Sequence, residues 1–233
     1  MYSYRSLRNS RLPIQAIAIL TFITLTLAAC DSMGPVDQEH ASLVSESAAQ
    51  GNGPASTNAV FKFADLSQVG SSVLRRSPDA ISLNIQTSQL EVGYAYTVWW
   101  FVFDRPEFCS PLPEAPGIPS CGLDDVFGDA MVGGPNEMEI TILGAADGSV
   151  IGSNGRAQYS GTLAKNDATT AILGDGIDNP MTAEVHYVIR SHGPAIPGYI
   201  ESQITTFNGG CDPGEPNEGL CEDVQFSVHQ AVN

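Results

Sequence analysis

The residues most able to do chemistry lie late in the chain. Glu184, His186, Arg190 and His192 follow one another at short spacing, and His229 comes close to the C-terminus. Imidazoles with a carboxylate are the ligand types that hold zinc or copper. If Glu184 to Arg190 is a strand, alternation puts Glu184, His186, Val188 and Arg190 on the face opposite Val185 and Ile189. The same rule sets His229 opposite Phe226 and Val228. Were the two strands neighbours, His186 and His229 would share a face, with His192 just past the strand end. Glu184, His186, His192 and His229 are therefore the candidate ligands for copper or zinc. The simpler alternative is a polar face in which His186 and Arg190 hydrogen-bond nearby carboxylates.

Other groups offer less. Asp124, Asp125 and Asp129, the pair Asp175 and Asp178, and the run Asp212, Glu215, Glu218, Glu222 and Asp223 are hard-oxygen clusters of the kind calcium takes. None follows the twelve-residue calcium loop, so solvated acidic loops are the preferred reading. Trp99-Trp100 sends one indole to each face of its strand, where it either packs in a core or stacks on a sugar. The sequence contains no Gly-x-Ser-x-Gly elbow, His-Glu-x-x-His pair, phosphate-binding loop or dinucleotide fingerprint. Nothing in it ties a serine to a histidine. These absences favour a non-enzymatic binding or structural role.

The segments that must position these residues read as strands. Ile81, Leu83 and Ile85 alternate with polar residues, as do Met138, Ile140 and Ile142, then Ala157 to Leu163, Val185 to Ile189, and Val224 to Val228. Gly93 to Phe103 is apolar on both faces and reads as a central strand covered on two sides. Turn-forming pairs such as Asn154-Gly155 and Asn208-Gly209 separate the runs. Only Gly198 to Phe207 has helical spacing. The expectation is an all-β fold, an antiparallel β-sandwich with one short helix, with a barrel as its competitor.

Five cysteines, ten basic residues, 26 acidic ones and a net charge of -16 bound the setting. Such acidity argues against nucleic acid, whose phosphates need a basic footprint. Arg5, Arg8 and Arg11 precede an apolar stretch that ends Leu27-Ala28-Ala29-Cys30, the layout of a secretory signal. From Ile14 to Ala29 it reaches about 24 Å as a helix, short of a ~30 Å hydrocarbon core. The Leu-Ala-Ala-Cys ending resembles the lipobox of bacterial lipoproteins. That resemblance implies cleavage before Cys30, lipidation of Cys30 and a membrane anchor. Residues 30–58 are rich in Ser, Ala and Gly and read as a flexible tether, leaving 59–233 as the β-domain.

With Cys30 committed to lipid, four cysteines remain, an even number that suits disulfides in an exported domain. Three pairings are open, and the sequence favours the local one, Cys109 with Cys121 and Cys211 with Cys221. Neither spacing resembles a close zinc knuckle.

Tyr96-Thr-Val-Trp-Trp100, Glu184 to Pro194, and Gly209-Gly-Cys211 through Phe226 together resemble a group of uncharacterised exported bacterial proteins across most of residues 60–230. In outline they are also similar, more distantly, to CHRD-type β-domains, whose glycine-rich histidine repeats are missing here. The resemblance implies a β-fold and brings no ligand or catalytic residue. The expected role is a lipid-anchored envelope module, with a glycan-binding adhesin and a copper- or zinc-dependent protein as its rivals.

Overall fold

The computed structural model describes residues 54–109, 121–122, 125 and 142–232. The signal segment, Cys30, most of the tether, Asp124, Asp129 and the run from Glu137 to Thr141 lie outside the described residues. Within them the chain forms nine strands: β1 (Ala55–Lys62), β2 (Gln68–Ser77), β3 (Ala80–Thr87), β4 (Tyr94–Phe103), β5 (Ile142–Val150), β6 (Ala157–Ala164), β7 (Ala171–Gly174), β8 (Glu184–Pro194) and β9 (Glu222–His229). The one α-helix described, α1 (Ile200–Thr205), falls inside the expected helical window. β1 opens at Ala55, a few residues ahead of the expected domain start at Ala59, because Ala55 to Val60 pair in unbroken register with Arg75 to Gly70 of β2.

All strand pairs are antiparallel, in the order β6-β3-β2-β1-β9-β8-β4-β5-β7. Local chemistry sets the tight turns. Between β2 and β3 only Pro78 and Asp79 intervene, since Ser77 pairs with Ala80. Proline pre-sets the turn's φ, and the Ser77 hydroxyl accepts from the Ala80 N–H at 3.0 Å. At the β5–β6 turn, Gly155 takes a φ of +63° that side-chain-bearing residues rarely adopt.

The sheet curls into two facing layers. Leu83 and Ile85 of β3 pack in the same apolar cluster as Val98, Trp100 and Val102 of β4, although four strands separate them in the sheet. Gly161 of β6 faces Trp100 so closely that a Cβ there would lie 3.2 Å from the indole and 3.0 Å from the Ala146 carbonyl oxygen. The Ser160 N–H crosses to the Asp147 carboxylate of β5 at 2.8 Å. The expected sandwich is therefore one continuous sheet folded over itself, with β6 brought back against β5 in the manner of a barrel.

Strand β4 is covered on both faces, as its composition predicts. Tyr96, Val98, Trp100 and Val102 point inward, while Trp99, Phe101 and Phe103 build a second cluster outside with Cys109, Cys121, Leu143 and Val188. The Phe207 ring, just after α1, closes edge-on over Trp99 at 5.0 Å. Burying aromatics on both sides makes this strand the anchor of the fold, since removing one such ring costs ~3–5 kcal/mol.

Strand β9 corrects the sequence reading. Its register pairs Val185 with His229, Tyr187 with Ser227 and Ile189 with Gln225, so Gln225, Ser227 and His229 face the interior. Phe226 lies on the outer face beside Phe61 and Phe63, its ring 4.6 Å from the latter. Alternation identifies two faces correctly but assigns burial to the wrong one. The polar set buries because its partners are already inside. Thr87 donates to the Gln225 side chain, which donates to the Ser88 carbonyl at 2.9 Å, and Ser227 meets Ser72 at 2.6 Å.

Candidate functional site

The ligand set Glu184, His186, His192 and His229 does not converge. Glu184, His186, Arg190 and His192 do share the outer face of β8, as alternation requires, but His229 lies on the inner face opposite Val185. His186 and His192 are six residues apart on one strand, roughly 20 Å at ~3.3 Å per residue. No single ion reaches both, and none reaches His229 through the sheet. The copper or zinc reading loses this ligand set.

Each imidazole is instead held by protein groups. His186 Nε2 lies 2.8 Å from Glu184 Oε1, and the same carboxylate oxygen accepts from the Cys121 N–H at 3.0 Å. The buried Glu184 thus ties the Cys109–Cys121 disulfide to β8. Arg190 donates to the Asp223 carboxylate at 2.7 Å and to the Phe207 carbonyl at 2.9 Å, with its guanidinium 4.2 Å from the Phe207 ring centroid. A polar face with satisfied partners is what the outer side of β8 presents.

His229 sits where β1 and β9 part. Those strands pair only at Phe61–Phe226 and Lys62–Gln225. Beyond that point side chains replace the ladder. Asn58 donates to the Val228 carbonyl at 2.7 Å, Ser56 Oγ lies 2.7 Å from His229 Nδ1, and Ser72 Oγ lies 2.8 Å from Nε2. Nothing in the sequence linked a serine to a histidine; the link arises because β1, β2 and β9 turn the same polar face inward. Ser72, Ser227 and His229 are all buried, so the contact is a packing element and not an accessible nucleophile–base pair. Burial lowers the His229 pKa from 6.5 to about 4, with help from Arg76 and His186. The imidazole is neutral at physiological pH.

The third histidine has richer surroundings. Trp99 Nε1–H donates to Thr97 Oγ1 at 2.7 Å, and that hydroxyl lies 2.7 Å from His192 Nε2. On its other side, His192 Nδ1 is 3.1 Å from the Gly209 carbonyl and 3.3 Å from Cys221 Sγ. One proton assignment satisfies the row: indole to hydroxyl, hydroxyl to Nε2, and Nδ1–H to carbonyl. Burial, above all, lowers the His192 pKa to about 4, against the pull of Gly209 and with the repulsion of Arg190. The backbone here is clamped from two sides. Gln203 of α1 and Asn217 each donate to the carbonyls of His192 and Pro194, Asn217 at 2.6 and 2.9 Å. Sequence patterns gave neither residue a role, because Gln203 sits on the short helix that folds back over the end of β8 and Asn217 in the loop beyond it.

Both expected disulfides are present, Cys109–Cys121 and Cys211–Cys221. Among the described residues, one trio of potential metal-ligating side chains has its atoms within 4.8 Å of one another: His192, Cys211 and Cys221. The acidic loops fold upon themselves. Asp104 accepts from the N–H groups of Asp178 and Asn179, Glu215 from Asp212, and Glu218 from Gly214. Asp125, expected in a solvated loop, is buried and accepts from the Gly122 N–H at 2.6 Å.

Neither indole reaches solvent: Trp99 and Trp100 are each 1% exposed, so the tryptophans offer a sugar no stacking surface. An open, polar cleft of about 510 Å³ lies between β3 and the β5–β6 turn, lined chiefly by Gln86, Ser88, Asn154, Arg156 and Gln158.

No family model matches the chain, and no curated protein matches it. Two solved structures overlap it in outline. A double mutant of a SOD-like protein from Bacillus subtilis is 10% identical with a TM-score of 0.30, covering 75% of this chain and 96% of its own. Cu/Zn superoxide dismutase from Brucella abortus is 14% identical with a TM-score of 0.31, covering 75% of this chain and 99% of its own. Similarity this slight carries no inference about the chemistry of this chain.

Proposed function

We propose that the chain is a lipid-anchored protein of the bacterial envelope whose exported β-domain acts as a non-enzymatic binding or structural module. One observation carries the reading. The four cysteines of the body pair into two disulfides, which leaves Cys30, in its Leu-Ala-Ala-Cys setting, as the one cysteine without a partner of its own kind. Disulfides persist in oxidising compartments, and a signal ending in Cys30 supplies both the route there and the anchor. The buried histidine networks agree with this reading, because they spend their hydrogen-bonding capacity on the fold.

The test is metabolic labelling of the full chain with a palmitate analogue in a bacterium that processes lipoproteins. Wild type is expected to take the label and sediment with membranes, and Cys30→Ser to do neither. Unlabelled wild-type protein in the soluble fraction overturns the anchor.

The glycan-binding reading has one observation in its favour, the amide-lined cleft at Gln86, Asn154, Arg156 and Gln158. Retention of the protein on polysaccharide resin, lost in Arg156→Ala, is its expected signature. Equal retention of the two proteins removes it.

A further inference from the structure

We propose that reduction of the Cys211–Cys221 disulfide creates a three-ligand site, His192 with the two thiolates, for zinc or another thiophilic divalent cation. This goes beyond the anchored-module reading and does not depend on the lipid.

The geometry is nearly in place in the oxidised protein. Tetrahedral zinc takes sulfur at ~2.3 Å and nitrogen at ~2.0–2.1 Å, which sets its ligand atoms roughly 3.3–3.8 Å apart. His192 Nδ1 is already 3.3 Å from Cys221 Sγ, and the three ligand atoms lie within 4.8 Å of one another. The imidazole is oriented from behind. Thr97 Oγ1 has two lone pairs, so it accepts the Trp99 N–H and, in the other tautomer, a His192 Nε2–H as well. That arrangement bares the Nδ1 lone pair toward the sulfurs, the outer-shell support metal-binding histidines generally have. Its cost is twofold: the Gly209 carbonyl loses the imidazole as a donor, and the Thr97 hydroxyl loses Nε2 as its acceptor.

The backbone under the ligands is held from two places, Gln203 outside the loop that the disulfide closes and Asn217 within it. Gln203 and Asn217 hold the His192 and Pro194 carbonyls, and Cys221 directly precedes β9. Cys221 is half-buried while Cys211 is buried, so a reagent approaches from the Cys221 side. Asp212, Glu215, Glu218 and Glu222 lie within or directly after the loop that the two cysteines close, and their negative charge favours a cation's approach, while Asp223 is paired with Arg190.

The chemistry balances with a dithiol reductant. One of its thiolates attacks a sulfur of the disulfide and its second thiol resolves the mixed disulfide. Two electrons and two protons pass to Cys211 and Cys221, and the reductant leaves as its own disulfide. A divalent cation then displaces the two thiol protons and takes the Nδ1 lone pair, leaving a neutral complex with one open position. In the oxidised protein the sulfurs are bonded to each other and the site does not exist.

The test uses the full chain in detergent. It is reduced with a dithiol, desalted without oxygen, and alkylated with iodoacetamide with and without Zn²⁺, each cysteine being read by peptide mass. The expected result is that zinc slows alkylation of Cys211 and Cys221 roughly tenfold or more and leaves Cys109 and Cys121 unaffected. His192→Gln is expected to lose most of that protection while Zn²⁺ still fails to protect the other pair. No protection, protection shared equally by Cys109 and Cys121, or a reduced chain that unfolds and does not recover its circular dichroism with zinc overturns the proposal. Full protection in His192→Gln overturns the role of the histidine. Where that variant does not fold, the wild-type comparison of the two cysteine pairs decides alone.

Discussion

His192 and His229 are neutral, buried imidazoles with pKa values lowered to about 4, and that fixes the pH dependence of stability. In the unfolded chain each titrates near 6.5, so between that value and about 4 the unfolded state binds protons that the folded state refuses. Stability is therefore fully present above about pH 6.5 and is lost as the pH falls toward the folded value, by roughly 3 kcal/mol for each imidazole. Urea titrations across that range are expected to show a steep fall that begins well above carboxylate pKa values. His229→Gln is expected to be less stable at neutral pH but shallower in slope. A wild-type profile flat down to about pH 5 contradicts the burial of these rings as charge-free groups. At this scale the sequence was legible for the cysteines, where even number and local spacing favour, among three open pairings, the one the structure holds. It was not legible for the histidines. His192 is placed by Thr97 of β4, Gln203 of α1, and Gly209 and Asn217 of the loop between α1 and β9, and no local pattern announces such a meeting.

Elements carry the next set of expectations. The inward turn of Gln225, Ser227 and His229 means that the polar residues of β9 matter more than its apolar ones. Gln225→Leu orphans the Ser88 carbonyl and removes the acceptor for Thr87, a loss of ~1–3 kcal/mol. Phe226→Ser, on the half-buried outer face, is expected to cost less, and chemical denaturation of the two variants gives the order. The reverse order contradicts the register. α1 makes a second test. A Cβ at Gly148 would stand 2.0 Å from the Ile204 carbonyl oxygen, so Gly148→Ala has to push the helix off β5, with an expected destabilisation of ~1–3 kcal/mol read as a lowered melting temperature. The strands themselves were readable from alternation, and β4 from its aromatic density. Which face of β9 points inward was not, because both faces of that strand find partners. Phe226 packs on Phe61 and Phe63, and Ser227 bonds to Ser72. Hydrophobic periodicity alone does not choose between a satisfied polar face and a paired aromatic one.

The described β-domain is a sheet folded onto itself and stapled at two places. The Cys109–Cys121 pair packs over the outer face of β4, and Cys211–Cys221 closes the loop between α1 and β9. Replacing Cys211 and Cys221 together by serine is expected to cost ~2–4 kcal/mol in equilibrium unfolding, by freeing the loop in the unfolded chain. Sandwich and barrel shared one expectation at the sequence level, because closure depends on long-range approaches such as Gly161 to Trp100 that strand patterns do not encode. In the proposed function this folded, disulfide-closed domain hangs from a lipidated Cys30. The most direct test is the mass of the N-terminal peptide and a disulfide map of protein recovered from bacterial membranes. The expected product is a mature chain beginning at an acylated Cys30, with Cys109 joined to Cys121 and Cys211 to Cys221. A chain that retains Met1, or an unmodified Cys30 alongside four free thiols, contradicts it.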